Sequence, residues 1–349
     1  MNSAYHRNGS GENTPFRFKG KQYMMESIGA TIDGHGTSCF QIRELSSGMV
    51  ITVVNQSAHH AFFSTTVDYE KEVVWVFGSA HDRSSRQGAC DVDRTKCYIG
   101  VWSSRDLLNW TTGPPLLLGS FGSWFPINVD VDFVRSQHTD SGLPKHQAIM
   151  YMETGPAYNP PRTTFPHTFA INTGSDGDLS RNWVLLDVNY SVAQIYGPTH
   201  GFIAECPSIR YDDEQGYYYV IGGGAVIWGP ARSKNLIDWE ISQYAPLTGP
   251  AYWLGRPLDN RVAPGIYTTE WEGENPSGAQ YLPFLKNMTS WNFGTSDVDL
   301  STNDDESPTY INWISSTQGA PRGMTVDGTN FGTIGRFNGT VVEFFRHYF

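Results

Sequence analysis

A short pattern ending in tryptophan recurs along this chain and constrains its fold more than any other feature. The clear copies read Ser, Arg or Lys, Asp or Asn, Leu, two further residues and Trp. Two clear and two weaker copies occupy residues 104–110, 233–239, 178–183 and 286–291. In chain order the four tryptophans are separated by 73, 56 and 52 residues, about the length of a four-stranded β-propeller blade with variable loops. The spacing therefore predicts a ring of repeated β units.

Pairs of strand-like segments joined by polar turns accompany these copies. The clearest pair is 208–211 and 217–221, with the acidic turn 212–216 between them. Such pairs predict an all-β, five-bladed β-propeller with four-stranded antiparallel blades around a central channel. The blades begin near residues 13, 64, 128, 203 and 294, residues 1–349 form one domain, and residues 335–345 supply a closing hairpin. A β-sandwich with coincidental tryptophan spacing is the alternative.

Composition agrees with a β-rich fold and excludes several function classes. Charged residues make up 17% of the chain and aromatic residues 14%, and the chain has 36 Gly and 20 Pro. Short strands joined by turns give such a balance, whereas long surface helices rich in Glu and Lys do not. The net charge of −11 and the lack of clustered Lys and Arg predict no nucleic-acid partner. No apolar run is long enough for a membrane helix. We also expect a monomer or a weak oligomer.

Glycosylation sequons and cysteine spacing favour the secretory route. The Asn-x-Ser/Thr sequons begin at Asn8, Asn55, Asn109, Asn189, Asn287 and Asn338. Cys90 and Cys97 bracket a polar loop that a disulfide can close, whereas Cys39 and Cys206 lie beside apolar residues and are expected to be buried free thiols. We therefore expect a secreted, N-glycosylated protein whose signal peptide was removed from this sequence or never present. A cytoplasmic protein with chance sequons is the alternative.

Polar residues mark the predicted starts of four of the five innermost strands. These are Glu12 and Asn13, Asn128 and Asp130, Glu205, and Asp297. In a propeller these strand starts converge on the central channel, although they are far apart in sequence. Glycoside hydrolysis needs one carboxylic acid to protonate the leaving oxygen and one carboxylate to act as base or nucleophile. Convergent carboxylates also raise one another's pKa. The pattern thus predicts carboxylate chemistry on a sugar.

One segment resembles the five-bladed propeller glycoside hydrolases, the superfamily of family 43 arabinanases and xylosidases and family 32 invertase-like enzymes. The resemblance lies in residues 205–209, Glu-Cys-Pro-Ser-Ile, followed by Gly-Tyr-Tyr-Tyr at 216–219. The copy at 233–239 is similar to the family's Ser-Lys-Asp-Leu-x-x-Trp element. The resemblance implies a glycosidase with Glu205 as general acid. It places Glu12 where the family has an aspartate base or nucleophile, and Asp130 where the family has an aspartate that tunes the acid.

Several assignments at this site stay open. The family's usual acid lies in the third blade, whereas Glu205 falls in the fourth by our count. Asn128 competes with Asp130 for the position that faces the channel, and if Asn128 faces it, Glu153 becomes the nearer carboxylate. Asn13, Asn128, Glu153 and Asp297 are candidate sugar-binding residues. Trp253, in a segment with Gly and Pro on both sides, is expected in a loop that rims the pocket.

The sequence indicates no metal-ligand pattern and no cofactor. A structural cation in the central channel beside a histidine is the one exception considered, and the candidate histidines are His59, His60, His81 and His200. Two other functions fit the same scaffold. One is a non-catalytic carbohydrate-binding propeller that has lost its base. The other is a glycan phosphorylase or transglycosylase.

Overall fold

The computed structural model describes about half of the chain, mostly in its N-terminal two thirds. The described residues are 11–28, 38–44, 47–82, 87–122, 124–138, 141–155, 167–187, 205–213, 216–227, 231–241, 247–249, 251–254, 265–269, 280–283, 312–315 and 322–325. In this part of the chain the secondary structure is almost entirely β-strand and turn, so the predicted all-β class is confirmed. Within the same residues no helix has the length and apolar character needed to cross a membrane.

Four antiparallel sheets follow one another along the chain, each with its four main strands in sequence order. The first contains β1 (Gly11–Phe18), β2 (Lys21–Ile28), β3 (Cys39–Glu44) and β4 (Val50–Val54). The second contains β5 (Ala61–Asp68), β6 (Val73–Ser79), β7 (Ile99–Ser104) and β8 (Thr111–Thr112). The third contains β9 (Phe125–Phe133), β10 (Ala148–Gly155), β11 (His167–Asn172) and β12 (Trp183–Leu185). The fourth contains β13 (Glu205–Asp212), β14 (Tyr217–Ile227), β15 (Ala231–Ser233) and β16 (Trp239–Ile241), and β17 (Leu247–Gly249) also pairs with β14.

Two smaller sheets complete the described strands. A three-stranded sheet contains β18 (Ala251–Leu254), β19 (Gly265–Thr269) and β20 (Gln280–Pro283). A hairpin contains β21 (Asn312–Ser315) and β22 (Arg322–Thr325). Trp253 therefore lies within a strand, paired with Tyr267, and its assignment to a loop is wrong. The neighbouring Gly and Pro residues, which suggested a loop, flank the strand instead of interrupting it.

The predicted blade starts compare directly with the first four sheets. Their first strands begin at residues 11, 61, 125 and 205, next to the predicted starts near 13, 64, 128 and 203. The predicted start near residue 294 lies outside the described residues. The three-stranded sheet β18–β20 contacts the fourth sheet through β18 and the first sheet through β19. Four-stranded antiparallel units are thus present, and the count of five blades stays a prediction.

Apolar layers join neighbouring sheets face to face. Phe40, Val76 and Trp102 belong to the layer between the first and second sheets. Phe77, Val131 and Met150 belong to the layer between the second and third, and Tyr151, Phe169 and Tyr218 to the layer between the third and fourth. Every residue of β5 and β6 is buried, because the second sheet is covered on both faces. Sheets covered on both faces and stacked in chain order are what adjacent propeller blades require.

The recurring tryptophan pattern forms the turn between the third and fourth strands of a sheet. In the second sheet the hydroxyl of Ser104 accepts a hydrogen bond from the amide of Leu107 at 2.8 Å. Asp106 Oδ1 accepts hydrogen bonds from the next two amides, those of Leu108 at 2.9 Å and Asn109 at 2.7 Å. Trp110 Nε1 then donates to the carbonyl of Leu107 at 3.0 Å. The pattern therefore satisfies the backbone of a tight turn with its own side chains.

The fourth sheet repeats this turn with an asparagine in place of the aspartate. Ser233 Oγ accepts from the amide of Leu236 at 2.9 Å. Asn235 Oδ1 accepts from the amides of Ile237 and Asp238 at 2.9 and 2.8 Å. Leu107 and Leu236, at equivalent positions, both have positive φ, 65° and 61°. The weaker copy at 178–183 lies in the corresponding turn of the third sheet, and the copy at 286–291 lies outside the described residues.

The aspartate and asparagine versions of this turn predict that the free energy of unfolding depends on pH through Asp106. Hydrogen bonds from Asn109 and then Leu108 lower the pKa of Asp106. A carboxylate with a lowered folded-state pKa contributes stability above its unfolded pKa of about 4, and that stability is lost as the pH falls through the folded pKa. We expect Asp106→Asn to fold as well as the wild type and to lose less stability between pH 7 and pH 3, because Asn235 makes the same turn without titrating. Urea unfolding across this pH range measures the effect.

Asp106→Ala is the control for that experiment. It removes the acceptor for both amides, so we expect lower stability than Asp106→Asn at every pH. Equal pH dependence of the wild type and Asp106→Asn would show that the carboxylate does not support the turn.

The connection between β6 and β7, two strands of the second sheet, contains a disulfide. It also contains the only described helical turns between strands of that sheet. The connection includes α1 (Ala89–Val92) and a 3₁₀ turn (Arg94–Lys96). Cys90 and Cys97 are bonded and each is 1% exposed, so the predicted disulfide is confirmed. Cys39 is buried and free, as the sequence predicted. Burial, followed by the nearby charge of Asp82, raises the pKa of the Cys39 thiol to about 11.

We expect the disulfide to stabilise the fold measurably. The bonded cysteines are 7 residues apart. Closing a loop of this size lowers the entropy of the unfolded chain by an amount worth about 2–3 kcal/mol. Cys90→Ser/Cys97→Ser should lower the free energy of unfolding by this amount in urea titrations. Cys39→Ser, which leaves the bridge intact, is the comparison, and a double variant as stable as the wild type would contradict the expectation.

Candidate active site

The first strands of the four sheets share a β-bulge near their start. β1, β5, β9 and β13 contact one another in order, each lying beside the next. In every case three residue steps on the first strand face two on its partner. The bulged segments are 11–14, 61–64, 127–130 and 205–208. A bulge bends the strand and redirects its side chains, and such bulges are common next to active sites.

The predicted catalytic residues lie in or beside these bulges. Glu12 and Asn13 occupy the bulge of β1, Asn128 occupies that of β9, and Glu205 begins that of β13. Asn128 has a φ of 50°, and the equivalent residue of β5, Phe62, has a φ of 59°. The bulge therefore occurs at the same position in all four sheets. In β5 and β9 the equivalent residues also share a positive φ. The chemical roles of these residues stay predictions.

Asn128 and Glu153 form a hydrogen-bonded pair at the start of the third sheet. Asn128 Nδ2 donates to Glu153 Oε2 at 2.9 Å. Glu153 is only 2% exposed and lies on β10 opposite Ile127 of β9. Glu153 is the carboxylate predicted to lie nearer the site if Asn128 faces the channel. The structure brings these two side chains together.

Asp130 is buried between the third and fourth sheets. Its Oδ2 accepts hydrogen bonds from the amide of Ile209 at 2.9 Å and from Arg210 Nη1 at 2.7 Å. Asp130 is 3% exposed and Arg210 is also 3% exposed, so the ion pair is closed to water. These contacts direct the Asp130 carboxylate to the backbone of β13. The side chain thereby fixes the position of the strand that begins at Glu205.

A second aspartate on β9 sets the register of the two strands. Asp132 Oδ2 accepts from the amide of Tyr211 at 2.8 Å. Residues 130 and 132 thus face 209 and 211, so β9 and β13 run parallel. Extending this register back along both strands places Asn128 level with Pro207. Glu205 starts two residues before Pro207, at the beginning of the bulge that corresponds to 127–130. The first residue of β13 and the Asn128–Glu153 pair therefore lie at the same end of the stacked sheets.

The remaining predicted residues lie in β18 or outside the described residues. Trp253 lies in β18 of the three-stranded sheet. Asp297 lies outside the described residues, as does His200. No group of three or more His, Cys, Asp or Glu residues able to hold a metal ion occurs in the described ranges. A cation in the central channel stays a prediction.

A polar cavity lies at the opposite end of the blades. Its volume is about 440 Å³, and it lies between the second and third sheets. Lys71, Arg105, Asp106, Asp176 and Asp178 contribute to its lining. These residues belong to the turns where β5, β7 and β11 end, whereas the candidate carboxylates lie where β1, β9 and β13 begin. The cavity is therefore separate from the candidate active site.

Sequence reasoning missed a histidine–aspartate pair at the start of the second sheet. His59 Nδ1 lies 2.7 Å from Asp82 Oδ2, and Asp82 is completely buried. The histidines at 59, 60 and 81 were considered only as core or loop residues or as neighbours of a cation. The available signal was an Asp three residues after the apolar strand β6, at the strand end that lies on the side of the candidate site.

Comparison by sequence finds no match, whereas comparison of structures does. No protein-family model matches the chain, and no curated protein matches its sequence. The structure is similar to that of a thermostable family-43 glycoside hydrolase, with a TM-score of 0.50 and 12% identity over 84% of this chain and 97% of that chain. This likeness confirms, at the level of fold, the resemblance to propeller glycoside hydrolases that residues 205–219 indicated.

Two further structures have lower similarity. One is an exo-β-1,3-galactanase from Clostridium thermocellum, with a TM-score of 0.47 and 12% identity over 83% of this chain and 62% of that chain. The other is a GH43_1 enzyme from Xanthomonas citri complexed with xylose, with a TM-score of 0.44 and 11% identity over 76% of this chain and 84% of that chain.

Proposed function

We propose that this chain is a glycoside hydrolase that cleaves oligo- or polysaccharides with carboxylates at one end of a five-bladed propeller. The carrying observation is the repeated bulge at the start of β1, β5, β9 and β13, which places Glu12, Asn128 and Glu205 at equivalent or adjacent positions of neighbouring strands. The similarity of the fold to that of a family-43 glycoside hydrolase supports the same proposal. Glu205 is the proposed general acid, and Glu12 is the proposed base or nucleophile.

Asp130 has a supporting role in this proposal. Its Oδ2 accepts hydrogen bonds from the amide of Ile209 and from Arg210 on the neighbouring strand. It holds β13 four residues beyond Glu205, and a general acid must be held within hydrogen-bond reach of the leaving oxygen. Asp130 is therefore a positioning residue for the acid. The family resemblance implied that Asp130 tunes the acid, and that role stays a prediction.

Asn128 and Glu153 are the proposed sugar-binding groups nearest to the acid. Asn128 Oδ1 is buried and has no hydrogen-bond partner in the part of the chain that the structure describes. An amide oxygen in that state can accept a hydrogen bond from a sugar hydroxyl. Glu153 holds the Asn128 amide nitrogen and so fixes the orientation of that oxygen. Asn13, Trp253 and Asp297 remain proposed substrate contacts from the sequence.

We propose that the four larger sheets and the three-stranded sheet β18–β20 close into a ring. Both faces of the first sheet are buried, although the second sheet covers only one of them. On the uncovered side Arg43 pairs with Glu26 through Nε–Oε1 at 2.9 Å and Nη2–Oε2 at 3.0 Å, and both residues are at most 5% exposed. A buried ion pair on this face needs a covering layer, because an open stack would expose it to water. The contact of β19 with β1 supports the three-stranded sheet as that layer.

The proposed site of action is outside the cytoplasm. The Cys90–Cys97 disulfide is typical of proteins in oxidising compartments. The sequons at Asn55 and Asn109 lie on described residues that are exposed. We therefore propose a secreted, N-glycosylated enzyme that needs no cofactor and acts on carbohydrate as a monomer or weak oligomer. Intact mass before and after treatment with an N-glycosidase tests the glycosylation.

An oligosaccharide screen tests the proposed function. Xylo-, arabino- and β-1,3-galacto-oligosaccharides are suitable substrates, because the structural neighbours include enzymes that bind or act on such sugars. We expect the wild type to release shorter products from at least one of them, and Glu205→Gln to lose this activity. Binding without hydrolysis by the wild type would instead support a non-catalytic carbohydrate-binding propeller. Products that form only with inorganic phosphate would support a phosphorylase.

A further inference from the structure

A half-exposed histidine is fixed in orientation just before the second sheet. His59 Nδ1 lies 2.7 Å from Asp82 Oδ2, and Asp82 Oδ1 accepts the hydroxyl of Ser38 at 2.8 Å. A carboxylate only accepts hydrogen bonds, so Nδ1 carries the proton of this contact. Nε2 is then the ring nitrogen that faces other groups or solvent. The His59 side chain is 43% exposed, whereas the Asp82 side chain is 0% exposed. The pair therefore presents a pre-oriented imidazole to solvent from a buried anchor.

The backbone around His59 is held in an uncommon conformation. His59 has a φ of 66°, and Phe62, three residues later, has a φ of 59°. Left-handed φ values are uncommon for residues other than glycine, and for a bulky residue such as Phe they require support from the surrounding structure. Conformations of this kind cluster at ligand-binding and catalytic sites. The support here comes from the buried Asp82 and from the packing of Phe62.

Aromatic packing connects this pair to the candidate active site. The ring of His81 stacks on Phe62, with centroids 5.4 Å apart, and lies 6.0 Å from the ring of Phe125. Phe62 belongs to the bulge of β5, and Phe125 is the first residue of β9. The amide of Asp82 donates to Asp91 Oδ2 at 2.7 Å, which ties the residue after His81 to the disulfide-closed connection. His59 thus belongs to the same end of the propeller as Asn128 and Glu153.

We propose that His59 is a substrate-binding residue whose Nε2 accepts a hydrogen bond from a sugar hydroxyl, with Asp82 and Ser38 as positioning residues. This inference rests on the proposed function and adds a binding group on the second sheet to those on the first, third and fourth. An imidazole whose Nδ1–H is held by Asp82 presents Nε2 in one set direction. Sugar hydroxyls are donors that match it, and a fixed acceptor discriminates between hydroxyl configurations.

Histidine NMR with a matched pair of variants tests the proposal. Xylotriose, arabinotriose and β-1,3-galactotriose are titrated to millimolar concentration into the full chain carrying ¹⁵N-labelled histidine. We expect at least one sugar to shift the His59 Nε2 resonance, and His59→Ala to weaken its binding about tenfold, as loss of one hydrogen bond does. His138→Ala is the control, because His138 bonds Tyr211 and Asp213 at the other end of the blades.

Two further measurements separate binding from structure. With a hydrolysed sugar we expect His59→Ala to raise KM about tenfold with little change in kcat. The lost hydrogen bond stabilises the bound substrate and the transition state equally. Asp82→Asn should change the His59 Nε2 resonance even without sugar, because it replaces the group that fixes the ring. If His59 were merely structural, His59→Ala would lower the melting temperature and leave KM and sugar binding unchanged.

The outcomes distinguish this inference from the proposed function. If a sugar shifts His59 and binds more weakly to His59→Ala but is not hydrolysed, the enzyme proposal fails and the binding residue stands. If Glu205→Gln abolishes hydrolysis while His59→Ala keeps the wild-type KM and no sugar shifts Nε2, the inference is overturned and the enzyme proposal stands. If none of the three sugars shifts His59, the inference is likewise overturned.

Discussion

Glu205→Gln should reduce kcat on an unactivated oligosaccharide by about 10²–10⁴, the range that general acid catalysis contributes. Glutamine has nearly the same shape as glutamate but gives no proton to the departing glycosidic oxygen. That oxygen leaves as a strongly basic alkoxide unless it is protonated, so loss of the acid falls on the bond-breaking step. Product release measured by chromatography from the sugar identified in the screen gives the ratio of the two rates.

The leaving group makes this test specific for the acid. A dinitrophenyl glycoside departs as a stable phenolate and needs little protonation, so Glu205→Gln should retain most of its activity on that substrate. We also expect the loss of activity at high pH, which reports deprotonation of the acid, to disappear from the profile of the variant. Equal losses on both substrates would show that Glu205 supports the fold or binding and does not donate the proton.

Glu72→Gln provides the matched control for this substitution. Glu72 lies in the turn between β5 and β6, at the opposite end of the blade, and its side chain is 63% exposed. The same chemical change there should leave kcat on both substrates unchanged. Reduced activity in this control would indicate a general effect of the altered charge.

Local patterns in the sequence were enough to predict the repeating unit. The side chains of Ser104 and Asp106 bond amides no more than three residues away, so the turn is encoded within seven residues. The same local logic identified the equivalent turn at 233–239. Alternating apolar residues and polar turns then placed the first four sheets within a few residues of their observed starts. Cysteine spacing likewise predicted the Cys90–Cys97 bridge.

Features that depend on pairing between distant segments were not predictable in this way. The bulges exist because the register of two strands shifts, and neither Phe62 nor Asn128 is a glycine that would signal a positive φ. The hydrogen bond between Asp130 and the Ile209 amide spans 79 residues, and that between His59 and Asp82 spans 23. Its position at a predicted strand start made Asp130 a catalytic candidate, whereas its contacts with Ile209 and Arg210 could be read only from the structure.

Asp130→Ala should lower the free energy of unfolding by about 3–5 kcal/mol, the usual cost of leaving one partner of a buried ion pair behind. The substitution leaves Arg210 buried at 3% exposure without this carboxylate and removes the acceptor of the Ile209 amide. Urea unfolding followed by tryptophan fluorescence measures the change. Because the same contacts hold β13, we also expect lower activity on oligosaccharides at temperatures where the variant is fully folded.

Asp132→Ala removes a hydrogen bond to the backbone of β13 but leaves the Asp130–Arg210 ion pair in place, so it measures the backbone contribution alone. Asp132 lies two residues further along the same face of β9 and accepts the Tyr211 amide at 2.8 Å. Its loss should cost only about 1–3 kcal/mol, the penalty for an unsatisfied buried group. The double change Asp130→Leu/Arg210→Met should recover much of the stability lost by Asp130→Ala, because it removes both buried charges. If it recovers stability without activity, the pair acts by positioning Glu205. If Asp130→Ala costs no more than Asp132→Ala, the ion pair does not hold the strand, and the supporting role of Asp130 is wrong.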